Sequence, residues 1–233
     1  MKKFNYWQKF EKSGYYHIYN RGINGTTIFS NEENYYYFLR KWAMYIDPLF
    51  DTLAYCLMSN HIHFLVRVKP VSRSIRNKIL QMRTSKSRKF IESKISYNEF
   101  LEDQFKRLFS SYVLAYNKRI DRHGSLFEKR FKRVKVNTPN AILYKLAYIH
   151  HNPIHHGYTK DYENWPYSSY HALLFNKETC LNKKKLLKLF DTDNSSAMES
   201  FLRHHEEFKN FKEWTENEPE LSLLNLKFSK PKV

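Results

Sequence analysis

Two short stretches hold residues whose types and spacing suit chemistry. The first is His61-Ile62-His63, inside the run HIHFLVRV. On a strand, residues i and i+2 point to the same face. Two imidazoles placed this way can grip one cation while Ile62 turns into the layer behind. Alone, such a pair is weak, because a histidine on a strand is more often structural. The second stretch holds Tyr148 and Asn152, which are i and i+4 on a helical pattern and share a face. The Asn152 oxygen can then reach a metal, and the Tyr148 hydroxyl, one turn earlier, a substrate held by it. The plainer alternative is a core tyrosine and a capping asparagine. Tyr112, Tyr116 and Tyr144 also lie on helices, with spacing to a ligand that is less apt. His150, His151, His155 and His156 crowd the same segment. His151, three residues from Tyr148, is the candidate among them for phosphate binding or proton transfer.

The elements that must carry these residues are readable in outline. YYHIYNR, residues 15 to 21, alternates as a strand and is followed by the turn signal GING. Ser30 or Asn31 caps a helix running to about Ile46. TLAYCLM, Ser59-Asn60 and HIHFLVRV form an antiparallel hairpin. Residues 71 to 122 form one long helix or two shorter ones. FKRVKV, residues 131 to 136, is a further strand. Thr138-Pro139 opens the helix bearing Tyr148, and this helix is expected to stop at Asn152-Pro153, because proline disfavours the α conformation before it. The order β-α-β-β-α-β-α predicts an α+β ferredoxin-like sandwich, with an antiparallel sheet and helices on one face. Residues 1–175 form the main domain. Residues 176–233 form a helical extension with two short amphipathic helices and a loose tail.

Charge points to the partner. The 233 residues carry a net charge of +17. Residues 67 to 135 alone hold 20 Lys and Arg against 6 Asp and Glu. A field this lopsided favours a polyanion, nucleic acid first and an anionic membrane second, although a solvated helical surface is the bland alternative. Arg119, Arg122, Arg130, Lys132, Arg133 and Lys135 are expected to meet phosphates. Phe127, Phe131 and Tyr116 are candidates for stacking on unpaired bases. The chain has 18 Tyr and 18 Phe; one small core is not expected to hold them all. No run of about 18 apolar residues exists, which excludes a spanning helix. The N-terminal lysines precede no apolar signal stretch, so a cytoplasmic location is expected. Cys56 and Cys180 support neither a disulfide framework nor a zinc knuckle.

Five segments in order, YHIYNRG, YCLMSNHIHFLVRV, GSLFEKRFKRV, LAYIHHNPIHHGY and ENWPYSSYHA, resemble the IS200-like single-tyrosine HUH transposases, especially the branch of REP-associated tyrosine transposases. They span roughly residues 15 to 173, and the extension after Leu181 is not covered. The resemblance implies that His61 and His63 hold a metal, that Asn152 is the third ligand and that Tyr148 is the nucleophile. It implies Mg²⁺ or Mn²⁺; on ligand chemistry alone Mn²⁺ or Zn²⁺ suits two imidazoles as well. The implied activity is cleavage and rejoining of single-stranded, hairpin-bearing DNA through a 5′-phosphotyrosine, by a monomer or a homodimer. Two rivals keep the same fold: a catalytically idle DNA- or RNA-binding module, and a metal-dependent phosphodiesterase that uses water.

Overall fold

The structure is a computed structural model and describes residues 5–174, 179, 181–190 and 196–209. Four strands form one antiparallel sheet: β1 (Tyr15–Arg21), β2 (Phe50–Met58), β3 (His61–Val68) and β4 (Lys132–Val136), in the spatial order β2-β3-β1-β4. The helices are α1 (Glu32–Tyr45), α2 (Arg73–Gln81), α3 (Ser85–Ile91), α4 (Tyr97–Arg119), α5 (Pro139–His155), α6 (Tyr170–Leu174), α7 (Lys183–Leu187) and α8 (Ala197–Lys209). The first six elements of the βαββαβ core, with α1 and α4 as crossovers, give the expected ferredoxin-like arrangement.

Strand alternation sorts the sheet into two faces. Tyr16, Ile18, Ile62, Phe64 and Val66 face α1 and α4, where Trp42 stacks on Phe64 at 3.5 Å between ring centroids. His17, Tyr19, His61 and His63 face the opposite way, toward α5. The expectation of helices on one face therefore holds for the two crossovers only. Helix α5 closes the other face, and β2 is buried along its whole length in consequence. The aromatic content is also housed differently from the expectation. Among the described residues twelve phenylalanines and eight tyrosines are buried, so the two-sided core absorbs most of them.

Local signals explain the element ends. Asn31, not Ser30, caps α1 through the Asn34 amide. The stretch read as one or two helices is three, because Thr84 and Ser96 each close a capping box and start a new helix. Arg83 and Ser93 take positive φ at the two breaks. Thr138 caps α5 with Pro139 in its first turn. The helix does not stop at Asn152: it runs through Pro153 to His155. Proline removes only one amide hydrogen there, and the packing of this turn, with His151, Asn152 and Pro153 all buried, outweighs that loss.

The extension lies against the main domain. Leu181 bridges to Thr52 of β2, and α8 packs on α5, where the His204 ring bonds the Leu143 carbonyl at 2.9 Å. The segment LKFSKPKV, expected to be a loose tail, and Cys180 lie outside the described residues.

Candidate functional site

The face of the sheet under α5 gathers the chemistry-bearing side chains. The tight turn at Ser59-Asn60 fixes where β3 begins, with Met58 paired directly to His61. A loop from β1 clamps that turn. The Gly22 amide donates to the Asn60 carbonyl at 2.7 Å, and the Ile28 amide to the Ser59 carbonyl at 2.7 Å. A Cβ on Gly22 would lie 1.9 Å from the Thr26 carbonyl oxygen, so only glycine permits this close approach. From the other side, the Tyr158 hydroxyl meets the Ser59 hydroxyl at 2.6 Å. The result is a cavity of about 350 Å³. Tyr19, Arg21, His61, His63, Lys132, Tyr148 and His156 line it.

His61 and His63 share this wall, as the strand period requires. His61 Nδ1 lies 2.5 Å from Asn60 Oδ1. An amide oxygen only accepts, so the proton sits on Nδ1 and Nε2 is left bare. That Nε2 is buried and, among the described residues, has no hydrogen-bond partner. Burial, helped by His156 and Arg21, pushes His61 down to about 3. Burial also holds His63 well below the usual histidine range. Both rings are thus neutral at pH 7, the state in which imidazole ligates a metal.

Helix α5 crosses this wall with Tyr148 inward. The Tyr148 ring stands edge-on to both His17 and His63, at 5.9 Å between centroids in each case. Two turns later, His156 meets His61 edge-on at 4.4 Å between ring centroids. Asn152 lies between Tyr148 and His156 along the chain; it is wholly buried and is not among the residues that line the cavity. Its Nδ2 donates to the Tyr148 carbonyl, and its Oδ1 has no partner among the described residues. Orphaned oxygen and nitrogen atoms of this kind fit a cation. Among the described residues no group of three His, Cys, Asp or Glu is placed to hold a metal ion, and Asn152 offers a different kind of donor.

The competing tyrosines are placed elsewhere. Tyr112 and Tyr116 lie across the sheet and spend their hydroxyls on the Ile28 and Thr27 carbonyls. Tyr144 is buried one turn behind Tyr148, stacked on it at 6.3 Å, and packs on Phe208. His151 does not face the cavity: it packs against Tyr162 at 4.2 Å and Phe208 at 5.0 Å, on the side of α5 covered by α8.

The chain matches no family model. A Haemophilus influenzae protein named as a REP-associated tyrosine transposase is 25% identical over 122 residues, which is 52% of this chain and 60% of that relative. The solved structure of a REP-associated tyrosine transposase bound to a REP hairpin shares the fold, with a TM-score of 0.50, 15% identity, and coverage of 83% of this chain and 96% of that one. The chain thus spans less than two thirds of the Haemophilus relative's length, and the solved structure shows a shared fold. Within this fold, the residues expected to meet DNA divide into two groups. Lys132 lines the cavity, with its ammonium 5.5 Å from the Tyr19 ring centroid. Arg130 is exposed and lies over the Trp7 ring. Arg119 is exposed and pairs with Glu33. Arg122 is turned inward onto Asn117 and the Gly124 and Ser125 carbonyls, where it ties down the loop after α4.

The others are engaged by contacts within the protein. Arg133 is largely buried, bonded to Glu102 and the Gln8 carbonyl and stacked over Phe10. Lys135 shares its side of β4 and pairs with Glu11 at 2.6 Å. Phe127 and Tyr116 are core residues, and Phe131 stacks on Phe105 at 4.6 Å. Phe127 and Phe131 border a groove that Trp7 and Arg130 also line.

Two site residues escaped the sequence reading. Lys145 is buried, one turn before Tyr148, with its ammonium 4.5 Å from the Tyr148 ring centroid. Its charge also helps depress His17 and His63. The signal for it was present: a lysine at i−3 from the tyrosine shares its helix face. His17 is the second, 2.9 Å from His63. Its spacing from Tyr19 placed it on the cavity face, but only the strand register brings it to His63.

Proposed function

We propose that this chain is a transposase-like nuclease and strand transferase that cleaves and rejoins single-stranded, hairpin-bearing DNA, with Tyr148 as nucleophile. The observation that carries the reading is the cavity in which Tyr148 stands edge-on to His63 beside the bare, buried Nε2 of His61. The hairpin named in the solved relative, and the transposase name of the Haemophilus protein, support the substrate class.

His61, His63 and Asn152 would hold a divalent cation, Mg²⁺ or Mn²⁺. Bound there, it would neutralise a non-bridging phosphate oxygen and favour in-line displacement. This chain supplies the rest. The Tyr148 oxygen attacks phosphorus, the bond from phosphorus to the 3′ oxygen breaks, and the 3′ oxygen leaves as a hydroxyl. Overall, the phenol proton ends on that hydroxyl. The covalent 5′-phosphotyrosine stores the bond, and a second 3′-hydroxyl reverses the step and restores the phenol. Lys132 and Arg21 line the cavity and provide positive charge for the incoming phosphate. Lys145 brings a buried cation to the tyrosine ring. The exposed arginines and lysines of α2 and α3 supply a long-range field for the strand.

The test uses a labelled single-stranded oligonucleotide with a hairpin, Mn²⁺ and the full chain. A denaturation-resistant protein–DNA adduct that is lost in Tyr148→Phe supports the reading. Cleavage without an adduct identifies a hydrolase that uses water, and binding alone identifies an idle module; either result sinks the proposal.

A further inference from the structure

We infer that His17 orients His63 for cation binding, by accepting a hydrogen bond from His63 Nδ1–H and leaving His63 Nε2 bare. The inference rests on the reading above that His63 is a metal ligand.

His17 Nε2 and His63 Nδ1 are 2.9 Å apart, with both rings buried and their planes 13° from parallel. One proton must lie between them. Two bare nitrogens would repel at this distance, and two N–H groups would clash. There are two arrangements. If His17 donates, the neutral His63 carries its proton on Nε2 and cannot ligate. If His63 donates, its Nε2 lone pair is free, and His17 carries its own proton on Nδ1. Only the second arrangement makes His63 a ligand.

His61, two residues away on the same wall, sets the pattern. Asn60 accepts from its Nδ1 and leaves Nε2 bare. His17 does for His63 what Asn60 does for His61, and each ligand histidine then has an acceptor behind it. The common acceptor at such a position is a carboxylate or a carbonyl. An imidazole accepts equally well and adds no second buried charge.

The fold holds His17 in this role. On the sheet Tyr19 is opposite His63 and His17 is opposite Leu65, so His17 reaches His63 diagonally. Its ring is packed between Tyr19, at 4.8 Å, and the edge of Tyr148, at 5.9 Å. A slip of one residue between β1 and β3 would move His17 to the far face and end the contact.

The experiment has two arms. Long-range ¹H–¹⁵N NMR of the metal-free full chain reads the tautomers directly, and the expected result is His63 and His17 both protonated on Nδ1. Calorimetry with Mn²⁺ is the second arm. His17→Leu is expected to weaken Mn²⁺ binding by about 10- to 100-fold, and His17→Gln, whose amide oxygen still accepts, to restore most of it. A His63 protonated on Nε2 in the wild-type chain overturns the inference, and this arm stands even where His17→Leu fails to fold. Wild-type binding of Mn²⁺ with no loss in a folded His17→Leu also overturns it and leaves the metal reading intact. No Mn²⁺ binding by the wild type overturns the metal reading itself.

Discussion

Helix α5 carries a histidine cluster on each of its two sides, and the two are built to opposite ends. On the sheet side, His17, His61 and His63 surround Tyr148 at a cavity. On the α8 side, a hydrogen-bond chain runs from the Tyr55 amide to the Ser169 hydroxyl, on to His150, then His205, and ends on the Phe201 carbonyl. A backbone N–H can only donate and a backbone C=O can only accept, so every proton in that chain has one position. Both clusters are buried and neutral. The difference is that one is closed at both ends, while the other stops on a bare nitrogen. A satisfied chain ties three elements together; an orphaned acceptor is a place for a ligand. Counting histidines would not have separated them.

Several changes would break or sharpen this contrast. The largest effect is expected at the open cluster. His61→Ala should reduce Mn²⁺ affinity and DNA cleavage by more than about 100-fold, with a small change in melting temperature. Cleavage and melting, measured on one preparation, check it; a collapse in stability with normal cleavage by the folded fraction would erase the distinction. At the closed cluster the pattern should invert. His205→Leu breaks the chain and strands the His150 donor, costing about 2–4 kcal/mol in denaturant unfolding. The metal affinity of the folded variant should stay within about threefold of the wild type, as titration at a temperature below its unfolding transition would read.

Acid should act on stability in a predictable direction. Burial holds His150 at about 3 and His151 at about 4. The unfolded chain takes up protons on these residues below about pH 6.5, and the folded chain does not. Their contribution is therefore complete above pH 6.5 and is lost as pH falls below it, by about 1.4 kcal/mol per pH unit for each histidine. Unfolding free energies between pH 7.5 and 5 should fall along this slope, and His150→Gln should make the slope shallower. A flat profile would contradict the burial of neutral rings. The smallest effect concerns DNA. Lys132→Met should lower the salt dependence of hairpin binding by about one unit of slope, and Arg133→Met should leave it unchanged. Equal effects would mean that Arg133 leaves its Glu102 pair to meet phosphate.

Much of the site was legible in the chain, because strand alternation and helix spacing are local. HIH had to present two imidazoles together, and Tyr148 and Asn152 had to share a face. The bounds of β1 and β3 and the cap at Thr138 followed from the same local rules. What was hidden depends on register and packing. His17 and His63 are 46 residues apart and meet only through the β1–β3 pairing. Arg133 and Lys132 are neighbours in sequence, and the pleat sends one into the core and the other into the cavity. Pro153 reads as a helix end in the sequence, but a well-packed last turn outweighs the tendency of proline to stop a helix. The second sheet cover, α5, could not be told from a single-sided arrangement by element order alone.

The central claim is that Tyr148, held beside His63 and the bare nitrogen of His61, bonds covalently to a DNA 5′ phosphate. Its most direct test is proteolysis of the trapped protein–DNA adduct after nuclease trimming, followed by mass spectrometry of the modified peptide. The account predicts a residual nucleotide on Tyr148 alone. A nucleotide on Tyr144, Tyr19 or any other residue, or a trapped complex with no modified peptide, would contradict it.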